Sequence, residues 1–263
     1  MINHGLTPQE IFFYRFLIAY LGIWVISPKR LFTNNWQDEL WLVAGGIFGG
    51  SLYFFTENTA LGITQASNVS FIICTAPLLT TILSLLFYKS EKASKGLIYG
   101  SLLALMGVGL IVFNGSFVLK ISPIGDLLTL LAALSWAFYS LIIKKMAGRY
   151  PTIFITRKIF FYGVLTILPA FLLHPLHPDT VVLLQPAVLF NLLFLAVLAS
   201  LICYVLWNVV LKQLGTVRAS NYIYLNPLVT MIASFLILDE KITLVALGGA
   251  ACIVCGVYWA EKK

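Results

Sequence analysis

The chain has 263 residues, of which 60% are hydrophobic and only 10% are charged. Soluble domains are about 45–50% apolar and about 25% charged, so this composition excludes a water-soluble globular protein and a disordered chain, and it predicts an all-α polytopic membrane protein. The formal net charge of +7 then indicates basic cytoplasmic loops rather than nucleic-acid binding.

Nine stretches are long and apolar enough to cross a membrane, for which a helix needs about 20 such residues. In chain order they are Ile11–Ser27, Leu40–Leu61, Ser67–Tyr88, Leu97–Phe113, Ile124–Ile143, Ile153–Leu173, Val188–Leu211, Ala219–Leu238 and Leu244–Ala260. Backbone groups in lipid must be hydrogen-bonded internally, and the alternating segments of a β-barrel are absent from the sequence. We therefore predict helices.

Lys and Arg are distributed unequally between the loops on the two sides of the predicted membrane. One set of loops carries Lys29, Arg30, Lys89, Lys92, Lys95, Lys144, Lys145, Arg149, Lys212, Arg218, Lys262 and Lys263, whereas the other set carries Lys120 and Lys241. Because basic loops stay in the cytoplasm, the C-terminus is predicted to be cytoplasmic. The first residues lack the basic region and cleavage site of a signal peptide and are predicted to form a loop.

The two halves of the chain share residues at a nearly constant offset. A shift of 150 pairs Asn58 with Asn208 and Pro77 with Pro227. The first half then holds four predicted spans and the second half five, so the partner of Ile124–Ile143 would lie upstream of the first residue. An odd number of spans per repeat inverts one copy relative to the other, an arrangement typical of secondary transporters.

Several short motifs make a family resemblance specific. They are Gly125–Leu128 leading into Ala132–Ala137, then Glu57–Leu61, Thr64–Asn68, and the segments around Pro77 and Pro227. In order and spacing they resemble EamA-type members of the drug/metabolite transporter superfamily over essentially the whole chain. The resemblance implies a ten-helix pattern of two inverted-topology repeats, with nine helices present here and the first one missing. It divides the chain into repeats at 1–115 and 120–260.

Two charged side chains lie inside predicted spans at the same depth. Arg15 and Glu57 are each about 6 Å below the outer boundary by helical rise. A charge within the bilayer costs at least about 2.5–3.5 kcal/mol, so we expect the two to form an ion pair. The pair could be a structural bond, or Glu57 could exchange a proton and Arg15 bind a substrate carboxylate. Tyr53, one turn before Glu57, should face the same way.

Arg157 and Lys158 occupy the corresponding depth on the cytoplasmic side, where Trp207 stands in place of a carboxylate. With no acid predicted in the membrane to neutralise them, we expect both side chains to extend to the inner headgroups. A cation–π contact with Trp207 and attraction of an anionic substrate are the alternatives.

Paired prolines mark a second candidate region. Pro77 and Pro227 lie in the middle of predicted spans, and a proline removes one backbone donor from a helix. Proline-interrupted helices at corresponding positions of two halves are typical of a transporter site, although bending for packing alone is the alternative. The remaining candidate binding residues are Asn58, Ser70, Trp136, Tyr139, Asn208, Tyr224 and Asn226.

Small residues recur at helical spacing and predict close helix packing, with a homodimer contact left open. They include Gly45 with Gly49, Gly46 with Gly50, Gly96 with Gly100, and Gly248 with Gly256. The HxxH pattern between His174 and Asp179 lacks further ligands, so no metal or other cofactor is predicted. A phosphate-binding Walker motif is also absent from the sequence.

Together these features predict a secondary transporter, not an enzyme, which moves small organic metabolites by alternating access in a bacterial-type inner membrane. The resemblance implies amino-acid-like or drug-like solutes, and proton coupling stays open. The predicted partners are the solute and the lipid bilayer, not nucleic acid. A non-transporting membrane scaffold or subunit is the main alternative. A membrane-embedded enzyme is less favoured because it would need clustered histidines or carboxylates.

Overall fold

A computed structural model describes residues 5–28, 32–88, 94–113, 122–173, 175–176, 180–238 and 242–262. Every regular element within these ranges is helical, which confirms the all-α class. The α-helices are α1 (Pro8–Ile26), α2 (Trp36–Gly46), α3 (Leu52–Ile63), α4 (Ala66–Ile73), α5 (Ala76–Phe87), α6 (Lys95–Phe113), α7 (Pro123–Ala147), α8 (Thr152–Ile167), α9 (Ala170–Leu173), α10 (Thr180–Leu183), α11 (Pro186–Leu193), α12 (Cys203–Leu214), α13 (Thr216–Asn221), α14 (Asn226–Leu238) and α15 (Leu244–Glu261).

Eight helical stretches of the described ranges are long and apolar enough to cross a membrane. They overlap eight of the nine predicted spans, and they confirm a polytopic membrane protein. The remaining predicted span, Leu40–Leu61, corresponds to α2 and α3, which a π-helical segment joins into one unbroken helical stretch.

Two of the long helices contain π-helical segments. Ile47–Ser51 joins α2 to α3, and Phe194–Ile202 joins α11 to α12. The 150-residue offset moves the first segment onto 197–201, inside the second. A π-helical turn changes the backbone hydrogen-bonding pattern and is frequent at functional sites, so both segments are places to look for binding groups.

Both prolines of the matched pair follow an interruption in their helices. Pro77 is the second residue of α5, after a turn at Cys74 and Thr75. Pro227 is the second residue of α14, after the 3₁₀-helix Tyr222–Leu225. The first turn of a helix needs no internal partner for its N–H groups, and proline is favoured there. The chain therefore begins a new helix at each proline instead of bending an unbroken one.

The chain folds as two compact units, and each unit draws on both halves of the sequence. The first unit comprises Met1–Asn58 with Phe138–Gln213, and the second comprises Thr59–Ala137 with Leu214–Lys263. The compact units thus cut across the predicted repeats, which remain a prediction about the sequence.

Aromatic rings fill the centre of the first unit. The ring of Phe16 in α1 is 4.3 Å from that of Phe12, 5.1 Å from that of Phe160 in α8 and 5.7 Å from that of Tyr204 in α12, measured between centroids. Phe12 and Phe16 are buried, as is Phe160. These contacts hold α1, α8 and α12 together around the polar groups described below.

Glycines allow α6 and α15 to pack backbone to backbone in the second unit. A Cβ atom added at Gly100 would lie 2.4 Å from the Gly256 carbonyl oxygen, and one added at Gly249 would lie 2.7 Å from the Gly107 carbonyl oxygen. The predicted packing role of Gly100 and Gly256 is confirmed within the chain. Because this contact already covers their surfaces, those two glycines are not free for a homodimer interface.

A methyl group at Gly249 should destabilise the protein by about 1–3 kcal/mol, the usual cost of overpacking. Gly248 is the matched control. The packing role predicted for it is wrong, since a Cβ added there meets nothing within 4 Å. We expect Gly249→Ala to melt at a lower temperature than the wild type in detergent, and Gly248→Ala to melt close to the wild type. Equal melting temperatures for the two variants would contradict the close approach of α6 and α15.

Candidate functional site

A partly buried arginine is held by two neighbouring helices in the first unit. The Nε–H of Arg15, in α1, donates a hydrogen bond of 2.9 Å to the Ser200 hydroxyl in the second π-helical segment. The Arg15 guanidinium also lies over the Phe54 ring of α3, with its carbon 4.5 Å from the ring centroid. The guanidinium makes no other hydrogen bond to a described residue.

Glu57 has a hydrogen-bond partner within its own helix. The Tyr53 hydroxyl donates a hydrogen bond of 3.0 Å to the Glu57 carboxylate, as their four-residue spacing predicts. No direct ion pair joins Arg15 to Glu57 among the described residues, although their charges are close enough to interact. The expected ion pair is therefore wrong: Arg15 bonds to Ser200 and Glu57 to Tyr53.

A chain of three buried polar side chains runs from α7 through α12 to α8. The Tyr139 hydroxyl donates to the Asn208 amide oxygen at 2.8 Å, and the Asn208 amide nitrogen donates to the Thr156 hydroxyl at 2.9 Å. The sequence singled out Tyr139 and Asn208 separately, and the structure joins them. Thr156, the third member, was not predicted.

The first π-helical segment contributes a backbone acceptor to the same unit. The Tyr204 hydroxyl donates a hydrogen bond of 2.6 Å to the Gly49 carbonyl oxygen. A Cβ atom added at Gly49 would lie 2.2 Å from the Tyr139 ring, so the close packing of Tyr139 requires glycine at this position. Tyr204 and Ser200 were not predicted, since neither residue type stands out in an apolar span and π-helical turns have no sequence period.

We call the residues Arg15, Tyr53, Glu57, Tyr139, Thr156, Ser200, Tyr204 and Asn208, with the Gly49 carbonyl, the polar cluster. All lie in the first unit. Asn58, also predicted, lies in the same unit and lines a small cavity of about 10 Å³ beside Phe12 and Phe54. That cavity is too small for an organic solute, since a single water molecule already needs about this much space.

The other predicted residues lie in the second unit and do not form a comparable cluster there. Ser70 and Asn226 are exposed, Trp136 is partly buried, and Pro77 and Pro227 are buried. Tyr224 is fully buried in an apolar core, whose other members are Cys74, Ala104, Val108, Ile253 and Val257. The surroundings of Tyr224 therefore favour a role in helix packing over a role in solute binding.

Lys158 is neutralised by an acid that the sequence analysis did not expect. Its ammonium forms an ion pair with the Glu39 carboxylate, and the two side chains are only 5% and 6% exposed. The Tyr162 hydroxyl donates to the same carboxylate. The expectation that Lys158 lacks an acidic partner and extends to the headgroups is wrong, because α2 begins at Trp36 and brings Glu39 against α8.

Arg157 is also buried instead of extending to the headgroups. Its guanidinium donates to the Ser27 carbonyl oxygen at the end of α1, and its carbon lies 5.4 Å from the Phe154 ring centroid. Nearby, Arg149 and the Tyr150 hydroxyl both bind the buried Asp38 carboxylate, at 2.6 and 2.8 Å. Cations of α8 and of the preceding turn thus anchor the ends of α1 and α2.

The described residues contain no group of three or more His, Cys, Asp or Glu side chains that could hold a metal ion. Within the predicted HxxH segment, His174, His177 and Asp179 lie outside the described residues.

Comparison with known proteins places this architecture among transporters. The model of the EamA-like transporter family matches residues 1–113 and 123–260. An uncharacterized transporter of Archaeoglobus fulgidus is 30% identical over 98% of this chain and 89% of its own length. A probable amino-acid metabolite efflux pump of Escherichia coli is 22% identical over 97% of this chain and 86% of its own length. A protein of known crystal structure shares the fold, with a TM-score of 0.80 at 18% identity over 98% of this chain and 88% of its own.

Proposed function

Because the chain belongs to the EamA-like transporter family, and is thus an integral membrane transporter, we propose that it moves small organic metabolites by alternating access. Amino-acid-like solutes are favoured over drug-like ones, since a relative carries the name of an amino-acid metabolite efflux pump. The proposal includes the predicted repeats at 1–115 and 120–260. The π-helical segments at Ile47–Ser51 and Phe194–Ile202 support it, because the 150-residue offset moves the first segment inside the second.

The observation that carries the proposal is the small number of hydrogen bonds made by the Arg15 guanidinium. One N–H of its guanidinium is bonded to Ser200, and the remaining donors have no protein acceptor among the described residues. A guanidinium binds a carboxylate through two parallel hydrogen bonds, and such charge-assisted bonds are stronger than neutral ones. The polar cluster therefore offers a site for the carboxylate of a metabolite, within apolar surroundings that would bind the rest of it.

The proposal also includes the membrane in which the protein lies and its orientation in that membrane. We place the protein in a bacterial-type inner membrane. Because Lys and Arg concentrate in one set of loops, its C-terminus would lie in the cytoplasm. The solute and the lipid bilayer are its partners in this scheme, and a homodimer stays open.

Glu57 is the proposed proton carrier, and its neutral isostere tests this role. In proteoliposomes with an imposed pH gradient, we expect Glu57→Gln to abolish the dependence of amino-acid flux on that gradient, because an amide cannot exchange a proton. Glu10→Gln is the matched control, since Glu10 closes the capping box of α1 with Thr7 and glutamine also serves at that position. Proton-dependent flux that persists unchanged in Glu57→Gln would contradict the coupling role.

The same assay tests transport itself against the scaffold alternative. Flux of a panel of radiolabelled amino acids is expected from proteoliposomes that contain the wild-type chain, and not from empty vesicles. Folded protein that moves no member of the panel would contradict the amino-acid assignment and favour a non-transporting scaffold or subunit.

A further inference from the structure

A cavity of about 280 Å³ lies in the second unit, between α5, α6, α13 and α15. Its polar lining consists of Thr81, Ser94, Thr216, Arg218, Glu261 and Lys262. None of these residues belongs to the polar cluster. Pockets for small molecules begin at about 300 Å³, so the cavity has room for a ligand of a few heavy atoms and not for a drug-sized one.

Two opposite charges in the lining of this cavity lie close together without a hydrogen bond. The Arg218 Nε atom lies 3.9 Å from a Glu261 carboxylate oxygen, which is too long for a hydrogen bond. The Arg218 and Glu261 side chains are 43% and 26% exposed, so the attraction between them is weakened by solvent. A ligand that brings its own pair of opposite charges can therefore bind both groups more closely than they bind each other.

Two polar atoms of the lining residues have no hydrogen-bond partner among the described residues. The second carboxylate oxygen of Glu261 and the hydroxyl of Thr216 are buried, and neither forms a hydrogen bond with a described residue. Thr216 is fully buried, so its hydroxyl has no access to bulk solvent. Buried polar groups are normally satisfied, because an unsatisfied one costs about 1–3 kcal/mol.

We propose that this cavity binds a small zwitterion, with its anionic group on Arg218 and its ammonium group on Glu261. Lys262 adds a second cation to the lining, which also attracts the anionic group of the ligand. Two sources share this chemistry: a free amino acid, and the phosphoethanolamine headgroup of a lipid. Binding here requires no transport, so the site stands apart from the function proposed for the polar cluster.

Calorimetric titration of the full-length protein in detergent tests the site. The probes are L-alanine and O-phosphoethanolamine as zwitterions, with ethanolamine and inorganic phosphate as single-charge controls. We expect saturable binding of at least one zwitterion, and at least about tenfold weaker binding of both single-charge probes, because each lacks one charge-assisted hydrogen bond. Binding of O-phosphoethanolamine alone identifies the lipid headgroup as the source, and binding of L-alanine alone identifies a free amino acid.

Substitutions that remove one charge from the cavity test whether the zwitterion binds there. Arg218→Gln and Glu261→Gln are each expected to weaken zwitterion binding at least about tenfold. Lys212→Gln, which removes an exposed cation outside the cavity, should not weaken it. Zwitterion binding at this cavity should persist in Arg15→Met, which lacks the carboxylate site proposed for the polar cluster, so binding that remains in this variant separates the cavity from the polar cluster even if transport fails. The proposal is overturned if no zwitterion binds saturably, if inorganic phosphate binds as tightly as O-phosphoethanolamine, or if both cavity variants bind like the wild type.

Discussion

Lys158→Met is expected to lower the free energy of unfolding by about 3–5 kcal/mol, the typical cost of removing one partner from a buried ion pair. Its partner Glu39 would remain in a site where the carboxylate is only 6% exposed. The Tyr162 hydroxyl still donates to that carboxylate but cannot neutralise its charge. Thermal unfolding of the purified protein in detergent, followed by tryptophan fluorescence, measures the loss.

The Arg218–Glu261 pair is the internal control for this experiment. Its two side chains are 43% and 26% exposed, so solvent already screens the interaction, and Arg218→Met should cost about 1 kcal/mol or less. The double variant Glu39→Leu with Lys158→Met should recover most of the stability, because it leaves no buried charge. A Lys158→Met variant as stable as Arg218→Met would contradict the buried ion pair.

The position of Glu39 shows why sequence analysis missed this pair. Apolar composition predicted a span from Leu40, one residue after Glu39, and so assigned the acid to the headgroup region. The helix in fact begins at Trp36, capped by the Asn35 side chain, and it packs against α8. Hydropathy locates a span to within a few residues along the chain, but it does not say which neighbouring helix each side chain faces.

Contacts within one helix were predictable, whereas contacts between helices mostly were not. The Tyr53–Glu57 bond follows from helical periodicity. The glycine spacing predicted close helix packing but did not say that α6 packs against α15. The Arg15–Ser200 bond joins residues 185 positions apart, and Ser200 lies in the π-helical segment Phe194–Ile202. The Tyr204 hydroxyl binds the Gly49 carbonyl oxygen, which lies in the other π-helical segment, Ile47–Ser51. A π-helical turn shifts the register of every later side chain in its helix, and no residue type signals it.

Arg15→Met is expected to reduce the flux of carboxylate-bearing solutes by about 100-fold. The loss of two charge-assisted hydrogen bonds to a solute carboxylate is sufficient for an effect of this size. Arg15→Lys keeps the charge but loses the planar pair of donors, so an intermediate flux is expected. Lys212→Met is the control for the loss of one positive charge at an exposed position.

A solute-binding role and a structural role for Arg15 predict different effects of Arg15→Met on the flux of different solutes. If Arg15 only stabilises α1 through Ser200 and Phe54, Arg15→Met should reduce flux equally for every solute and should lower the melting temperature. If Arg15 binds the solute carboxylate, an amino-acid amide should lose far less of its flux than the corresponding acid, because the amide never formed the charged contact. Competition against a labelled amino acid measures both ligands in the same vesicles. Equal losses for acid and amide would assign Arg15 to the structure of the first unit and remove it from the binding site.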